Sequence, residues 1–143
     1  MIGDDILWSN IYLSANKIDP NSLSGSILYL GMGTCFIPRL QGSAVTTTHI
    51  LEIDDEMIRY NENIIKSDWL VIKGDAFIYE PSIKYDLIFI DIFYQKVNRE
   101  VMESLIERYS DYLTPMGKIF YLHTVCRAVD RDKYNDVLLD LGF

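Results

Sequence analysis

Short apolar runs separated by longer amphipathic stretches constrain this chain more than any other feature. Residues 26–31, Ser-Ile-Leu-Tyr-Leu-Gly, form a continuous apolar run closed by glycine. A strand covered on both faces reads this way, whereas a half-exposed strand alternates. Further runs of this kind stand at 48–53 (Thr-His-Ile-Leu-Glu-Ile), 69–73 (Trp-Leu-Val-Ile-Lys), 85–92 (Tyr-Asp-Leu-Ile-Phe-Ile-Asp-Ile) and 118–125 (Lys-Ile-Phe-Tyr-Leu-His-Thr-Val). Between and around them, apolar residues recur at helical spacing. The spacing predicts helices over 5–17, about 34–41, 55–66, 98–113 and 130–141. Pro38 keeps the second of these short, and Thr114-Pro115-Met116-Gly117 reads as a turn. Alternating strands and helices with such short connections predict βαβ units around a mainly parallel sheet. The expectation is a Rossmann-like three-layer α/β sandwich.

The chain has 143 residues, enough for one domain spanning 1–143 and too few for two. Its start, Met1-Ile2-Gly3-Asp4-Asp5, has acids where a secretory signal carries lysine or arginine. No run is long and apolar enough to span a bilayer. These features predict a soluble cytoplasmic protein with no membrane partner. The formal net charge is −8, which repels phosphate backbones and argues against a nucleic-acid partner. The same charge suits a cationic small molecule, although solubility alone accounts for it. Cys35 and Cys126 lie far apart in apolar surroundings and read as buried free thiols. No metal-ligand spacing and no Ser-His-Asp pattern is visible.

On a parallel sheet, ligands bind beyond the carboxyl ends of the strands, where strand order reverses. The residues at those ends are therefore the candidates. Gly31-Met32-Gly33 follows the first strand, and glycine there permits a sharp turn and close approach to a ligand. An ordinary strand-to-helix turn has the same look. Phe36 stands where a dinucleotide fingerprint has its third small residue, which argues against NAD or FAD. Glu52 closes the second strand, 52 − 33 = 19 residues after Gly33. A carboxylate there accepts from both hydroxyls of a ribose. Its alternative role is to cap the next helix, a task Asp54 or Asp55 can also perform. Gly74-Asp75-Ala76 follows the third strand; Asp75 can accept from an adenine amino group while a nearby backbone amide donates to the ring. A simple Gly-Asp turn is the plainer reading. Asp91 closes the fourth strand, followed by Phe93 and Tyr94, and can orient a reacting group or accept a proton. It can also cap the following helix, although Asn98 is better placed. His123, within the fifth strand, and His49, at the start of the second, read as structural.

Taken in order, Ile27-Leu28-Tyr29-Leu30-Gly31-Met32-Gly33, Ile50-Leu51-Glu52-Ile53-Asp54, Gly74-Asp75-Ala76, Tyr85-Asp86-Leu87-Ile88-Phe89-Ile90-Asp91 and Leu113-Thr114-Pro115-Met116-Gly117 resemble class I S-adenosylmethionine-dependent methyltransferases. The nearest flavour is the spermidine synthase-like branch, which has a hydrophobic residue at the position of Tyr29. The resemblance covers residues 26–125. It implies S-adenosylmethionine, or its decarboxylated form, as cofactor. Gly31 and Gly33 would floor its amino-acid end, Glu52 would bind the ribose, Asp75 with Ala76 the adenine, and Asp54 is a further cofactor-binding candidate. Asp91 would be the acid beside the reacting groups, with a binding and a catalytic role. The implied activity is transfer of a methyl or other alkyl group to a small acceptor.

Three departures qualify that picture. Cys35 replaces a loop glycine. Ile92-Phe93-Tyr94-Gln95 replaces the Ser-x-Asp-Pro segment of polyamine aminopropyltransferases, whose amino-terminal β-domain is also missing, so spermidine synthesis itself is disfavoured. The chain stops at Leu141-Gly142-Phe143, where the family's C-terminal antiparallel strand pair would begin. The fifth strand is then expected to be an exposed edge, and exposed edges invite pairing with another chain. A homo-oligomer or an edge-covering partner follows as an expectation. The alternatives to this reading are a non-catalytic cofactor-binding or scaffolding subunit, an aminopropyltransferase-like enzyme and a small NAD-binding protein.

Overall fold

The computed structural model describes residues 19–32, 35–91 and 99–121. The helices predicted at 5–17 and 130–141 lie outside them, as do Tyr12, Gly33, Phe93, Tyr94, Asn98, His123 and Cys126. After a 3₁₀ turn at Pro20–Ser22, capped by Asp19, come β1 (Gly25–Leu30), α1 (Phe36–Leu40), β2 (Val45–Glu52) and α2 (Asp55–Tyr60). Then follow β3 (Trp69–Lys73), β4 (Tyr85–Ile90), α3 (Arg99–Ser110) and β5 (Leu113–Tyr121). The strands form one sheet in the order β3-β2-β1-β4-β5, and every pairing is parallel. The chain runs outward from β1 through β2 to β3, then returns to the other side of β1 with β4. The order reverses between β1 and β4.

The central strands are buried on both faces, as their unbroken apolar sequences require. Ile27, Tyr29, Ile50, Trp69 and Phe89 pack on one face with Ile37 of α1, joined by Met57 and Ile58 of α2. Leu28, Leu30, Leu51, Ile88 and Ile90 pack on the other with Leu105 and Tyr109 of α3. Helices on both faces of a parallel sheet make the expected three layers. Each fully buried aliphatic side chain contributes roughly 1.5–3 kcal/mol relative to its exposed state. On the first face an aromatic row crosses three strands. The rings of Tyr29 and Phe89 stack at 5.3 Å, as do those of Phe89 and Phe120, because their residues are in register.

Three expectations need correction. The helix predicted over 55–66 ends at Tyr60. Asn61 stops it: its side-chain Nδ2 donates to Met57 O at 2.9 Å, in competition with the helical ladder. Ile64 and Ile65 still reach the core from the turns that follow. Thr114–Gly117, read as a turn before the fifth strand, lies inside β5. Tyr85 pairs with Leu113 and Leu87 with Lys118, so β5 advances 118 − 113 = 5 residues while β4 advances 87 − 85 = 2. The surplus loops outward, which accommodates Pro115 without breaking the ladder and leaves Met116 exposed. The third correction concerns β2. It starts at Val45, paired with Gly25, so His49 lies mid-strand rather than at the strand's opening.

Asp86 ties the amino-terminal end of the sheet together. Its Oδ2 accepts from Ser26 N at 2.9 Å and its Oδ1 from the Thr114 hydroxyl at 2.8 Å. These two bonds, the Ser26 amide first, hold the carboxyl below the usual carboxylate range. Gly25 makes the approach possible, with φ at +80°; a Cβ there would collide with the Asp86 carboxylate.

Candidate functional site

At the carboxyl end of the sheet, the first residue past β1, β3 and β4 bonds to a neighbouring strand. Asp91 N donates to Leu30 O at 2.7 Å, Gly31 N to Leu51 O at 2.8 Å and Gly74 N to Glu52 O at 3.1 Å. These bonds bring the residue candidates into one row, running Asp75, Glu52, Gly31, Asp91 across β3, β2, β1 and β4. The row crosses the point where strand order reverses, where ligands of such sheets bind. Gly31 turns the chain with φ at +95°, a conformation that glycine adopts without strain.

Glu52 is almost fully buried, 7% exposed. Its Oε1 accepts from Met32 N at 3.0 Å, across from the loop after β1. Its Oε2 accepts from Ile53 N at 2.9 Å and Asp54 N at 3.1 Å. The carboxylate therefore joins the β1 loop to the end of β2. Of the alternative capping roles, Asp54 takes the helix: its Oδ1 accepts from Glu56 N at 2.9 Å, and it is the N-cap of α2. Asp54 therefore faces its own helix with that oxygen.

Asp75 and Ala76 begin the β3–β4 connection. Asp75 Oδ1 accepts from Phe77 N at 2.9 Å, closing an Asx turn. Its backbone carbonyl accepts from Ile78 N and Tyr79 N. Ala76 is buried against the α3 face of the sheet. Asp91 sits half-buried directly after β4, next to Gly31 in the row. Gly33, the second glycine of the loop, is outside the described residues.

Cys35, the departure from glycine, caps α1 in the left-handed conformation, φ 56° and ψ 32°. A glycine at this position would carry no penalty for that backbone; cysteine costs about 1–2 kcal/mol there. Its thiol is fully buried in the first core cluster, and burial pushes its pKa up to about 11. Tyr29 is also absorbed by the core. Its hydroxyl donates to Gln41 Oε1 at 2.7 Å, and burial raises its pKa far above the ordinary phenol value. His49 Nδ1 lies 2.7 Å from the Tyr85 hydroxyl, in an edge-on ring contact; burial lowers its pKa.

The chain matches no known protein-family model and no curated protein sequence. Its likeness is to solved structures. It aligns with DhpI in a SAM–HEP complex at a TM-score of 0.67 and 18% identity, over 91% of this chain and 60% of DhpI. An S-adenosylmethionine-dependent methyltransferase from Clostridium acetobutylicum ATCC 824 aligns at 0.62 and 16%, over 82% of this chain and 50% of that one. The N-methyltransferase NodS from Bradyrhizobium japonicum WM9, in complex with S-adenosyl-L-homocysteine, aligns at 0.55 and 13%, over 80% and 57%. The fold is the Rossmann-like α/β fold of S-adenosylmethionine-dependent methyltransferases. The chain spans half to three-fifths of the length of these three structures.

Two residues of this methyltransferase fold escaped the sequence reading. The Tyr109 hydroxyl donates to Ala76 O at 2.6 Å, and Arg108 Nη2 donates to Tyr79 O at 2.7 Å. Both come from α3 and hold the loop that carries Asp75. Tyr109 is visible in the sequence only as one member of the apolar stripe Val101, Leu105, Tyr109, Tyr112. Nothing local says that its hydroxyl reaches a loop 33 residues away.

Proposed function

We propose that the chain binds S-adenosylmethionine along the Asp75–Glu52–Gly31–Asp91 row and transfers its methyl group to a small-molecule acceptor. The observation that supports this reading is the row itself, on a fold whose solved examples include complexes with SAM and SAH. The donor set fits the cofactor in kind. Gly31 leaves room for the amino-acid end, Glu52 offers a carboxylate to the ribose hydroxyls, and Asp75 Oδ2 is available to an adenine amino group. Asp54 would contribute to the cofactor only through the oxygen that does not cap α2. When bound, the cofactor supplies a methyl carbon on a positively charged sulfur, open to displacement by an acceptor's lone pair. Asp91, beside Gly31, would orient that acceptor and take its proton on a carboxylate oxygen. The net charge of −8 favours a cationic acceptor such as an amine.

One observation favours a second reading, a scaffold of the same fold that holds no cofactor. A carboxylate offers about four lone-pair positions, and three on Glu52 already serve backbone N–H groups. Two ribose hydroxyls therefore require at least one of these bonds to yield, and Met32 N is the one that spans from another loop. Calorimetric titration with S-adenosylmethionine, its decarboxylated form and S-adenosylhomocysteine separates the readings. Micromolar binding, weakened at least tenfold by Glu52→Gln, supports the enzyme; absence of binding by the wild-type protein leaves the scaffold.

A further inference from the structure

The loop from Gly74 to Glu80 is held to the rest of the molecule at few points. Phe77 and Ile78 turn their side chains outward, at 46% and 73% exposure, while Ala76 and Tyr79 pack against the α3 face of the sheet. Its own bonds make it a self-contained turn: Ile78 N and Tyr79 N on Asp75 O, and Phe77 N on Asp75 Oδ1. A turn of this kind can shift as a unit unless something outside pins it. Beside the packing of Ala76 and Tyr79, two neighbouring residues of α3 do so by hydrogen bonds, Tyr109 through Ala76 O and Arg108 through Tyr79 O.

The Tyr109 contact has a specific geometric effect. The peptide between Ala76 and Phe77 is held at both ends. Its carbonyl accepts from Tyr109, and its N–H donates to Asp75 Oδ1. With the peptide plane fixed by Tyr109, the Asp75 carboxylate is fixed through it. Oδ1 is committed to the turn, and Oδ2, among the described residues, makes no hydrogen bond. Tyr109 is itself fully buried, packed in the cluster of Leu28, Ile88 and Leu105, and is therefore a rigid anchor. Its hydroxyl cannot reach solvent, and burial pushes its pKa up to about 12, so it remains a donor at all physiological pH values.

We infer that Tyr109 is a positioning residue for base recognition: it fixes the Ala76–Phe77 peptide and so aims Asp75 at the exocyclic amino group of a bound adenine, with Arg108 as a second anchor of the same loop. The inference rests on the proposed reading of Asp75 and Ala76 as the adenine site. Tyr109→Phe removes only the hydroxyl and leaves the ring in the core. The Ala76 carbonyl then loses its donor, and the peptide is free to rotate away from Asp75.

The test compares S-adenosylhomocysteine with S-inosylhomocysteine, whose 6-oxo group presents an acceptor where adenine presents a donor. Wild-type protein should prefer the adenosyl ligand. Loss of one buried hydrogen bond predicts that Tyr109→Phe weakens the adenosyl ligand about fivefold, with less than twofold change for the inosyl ligand. A merely structural role would lower both affinities by the same factor and leave the ratio unchanged. Amide hydrogen exchange supplies a readout without ligand: Phe77 N should exchange faster in the variant while Ile88 and Phe89 in β4 stay protected. Arg108→Met, at a half-buried side chain, gives a second variant that should move the ratio in the same direction should Tyr109→Phe not fold. A preserved ratio with unaltered exchange at Phe77 overturns the inference and leaves the adenine site standing. Wild-type protein that binds neither ligand, or both equally, overturns the adenine site and the inference with it.

Discussion

Replacing Glu52 with alanine removes the acceptor of three backbone N–H groups at once, and the burial of each donor sets the cost. Met32 is 4% exposed, so its amide would be left buried without a partner. A hydrogen bond to a charged group is worth about 1.5–3 kcal/mol, and an orphaned buried donor forfeits its full desolvation penalty. Ile53 is 61% exposed and Asp54 is exposed as well. Their amides turn to water, at about 0.5 kcal/mol each or less. Glu52→Ala should therefore cost about 3 kcal/mol, most of it from Met32. Glu52→Gln keeps one carbonyl oxygen, which can stay on Met32 N, and should cost about 1 kcal/mol. Urea unfolding reads both values. With a slope of roughly 2 kcal/mol/M for a chain of this size, the alanine variant's midpoint should fall by about 1.5 M and the glutamine variant's by about 0.5 M. Equal losses for the two variants, or an alanine cost below about 0.5 kcal/mol, would show that the bond to Met32 does not hold the β1 loop. The gap between the two variants also matters for function, because only the glutamine variant leaves the loop intact enough for a ligand titration to report on the carboxylate itself.

Gly25→Ala should destabilise by about 3 kcal/mol in the same assay: the residue sits at positive φ, and its Cβ would displace Asp86 from Ser26 and Thr114. In the Asp86→Ala background the two shortest contacts, to the carboxylate, disappear, so the Gly25→Ala cost should shrink to about 1–2 kcal/mol; additive costs would refute the contact. His49 has a folded-state pKa below its ordinary 6.5, so the unfolded chain takes up its proton first as pH falls. Its contribution to stability is complete above pH 6.5 and declines below it. Urea midpoints of wild type should drop faster than those of His49→Gln on that acid side, and parallel profiles would argue against it. Cys35, fully buried with a pKa pushed up to about 11, should escape iodoacetamide at pH 8 in the native protein and react in urea. Rapid native labelling of the Cys35 peptide, read by mass spectrometry, would contradict its burial.

What could be read from the residues and what could not divides along physical lines. The doubly covered strands were legible because full burial demands unbroken apolar runs: β1, read from the run 26–31, spans Gly25–Leu30, and β4, read from 85–92, spans Tyr85–Ile90. Glu52, Gly31 and Asp91 could be placed because strand ends on a parallel sheet fall on one edge whatever the helices do. Helix ends were harder. Asn61 halts α2 through a side-chain bond that periodicity does not carry, and Thr114–Gly117 looks like a turn because Pro115 and Gly117 are as suited to a bulge as to a turn. Long-range hydrogen bonds were out of reach altogether. Asp86 reads as an ordinary strand residue until Ser26 and Thr114 stand beside it, and Tyr109 reads as core until Ala76 does. The occupation of Glu52 by backbone amides likewise follows from how the β1 loop crosses the end of β2, not from the identity of the residue.

The most direct test of the proposed site is a titration of isotopically labelled protein with S-adenosylhomocysteine, followed by amide chemical shifts. Binding along the carboxyl edge should move Gly31, Met32, Ile53, Asp75 and Ala76, with micromolar saturation. The opposite edge, at Gly25, Ser26 and Val45, should stay still. Shifts confined to that opposite edge, or no shifts at millimolar ligand, would contradict a cofactor site at the row of strand ends.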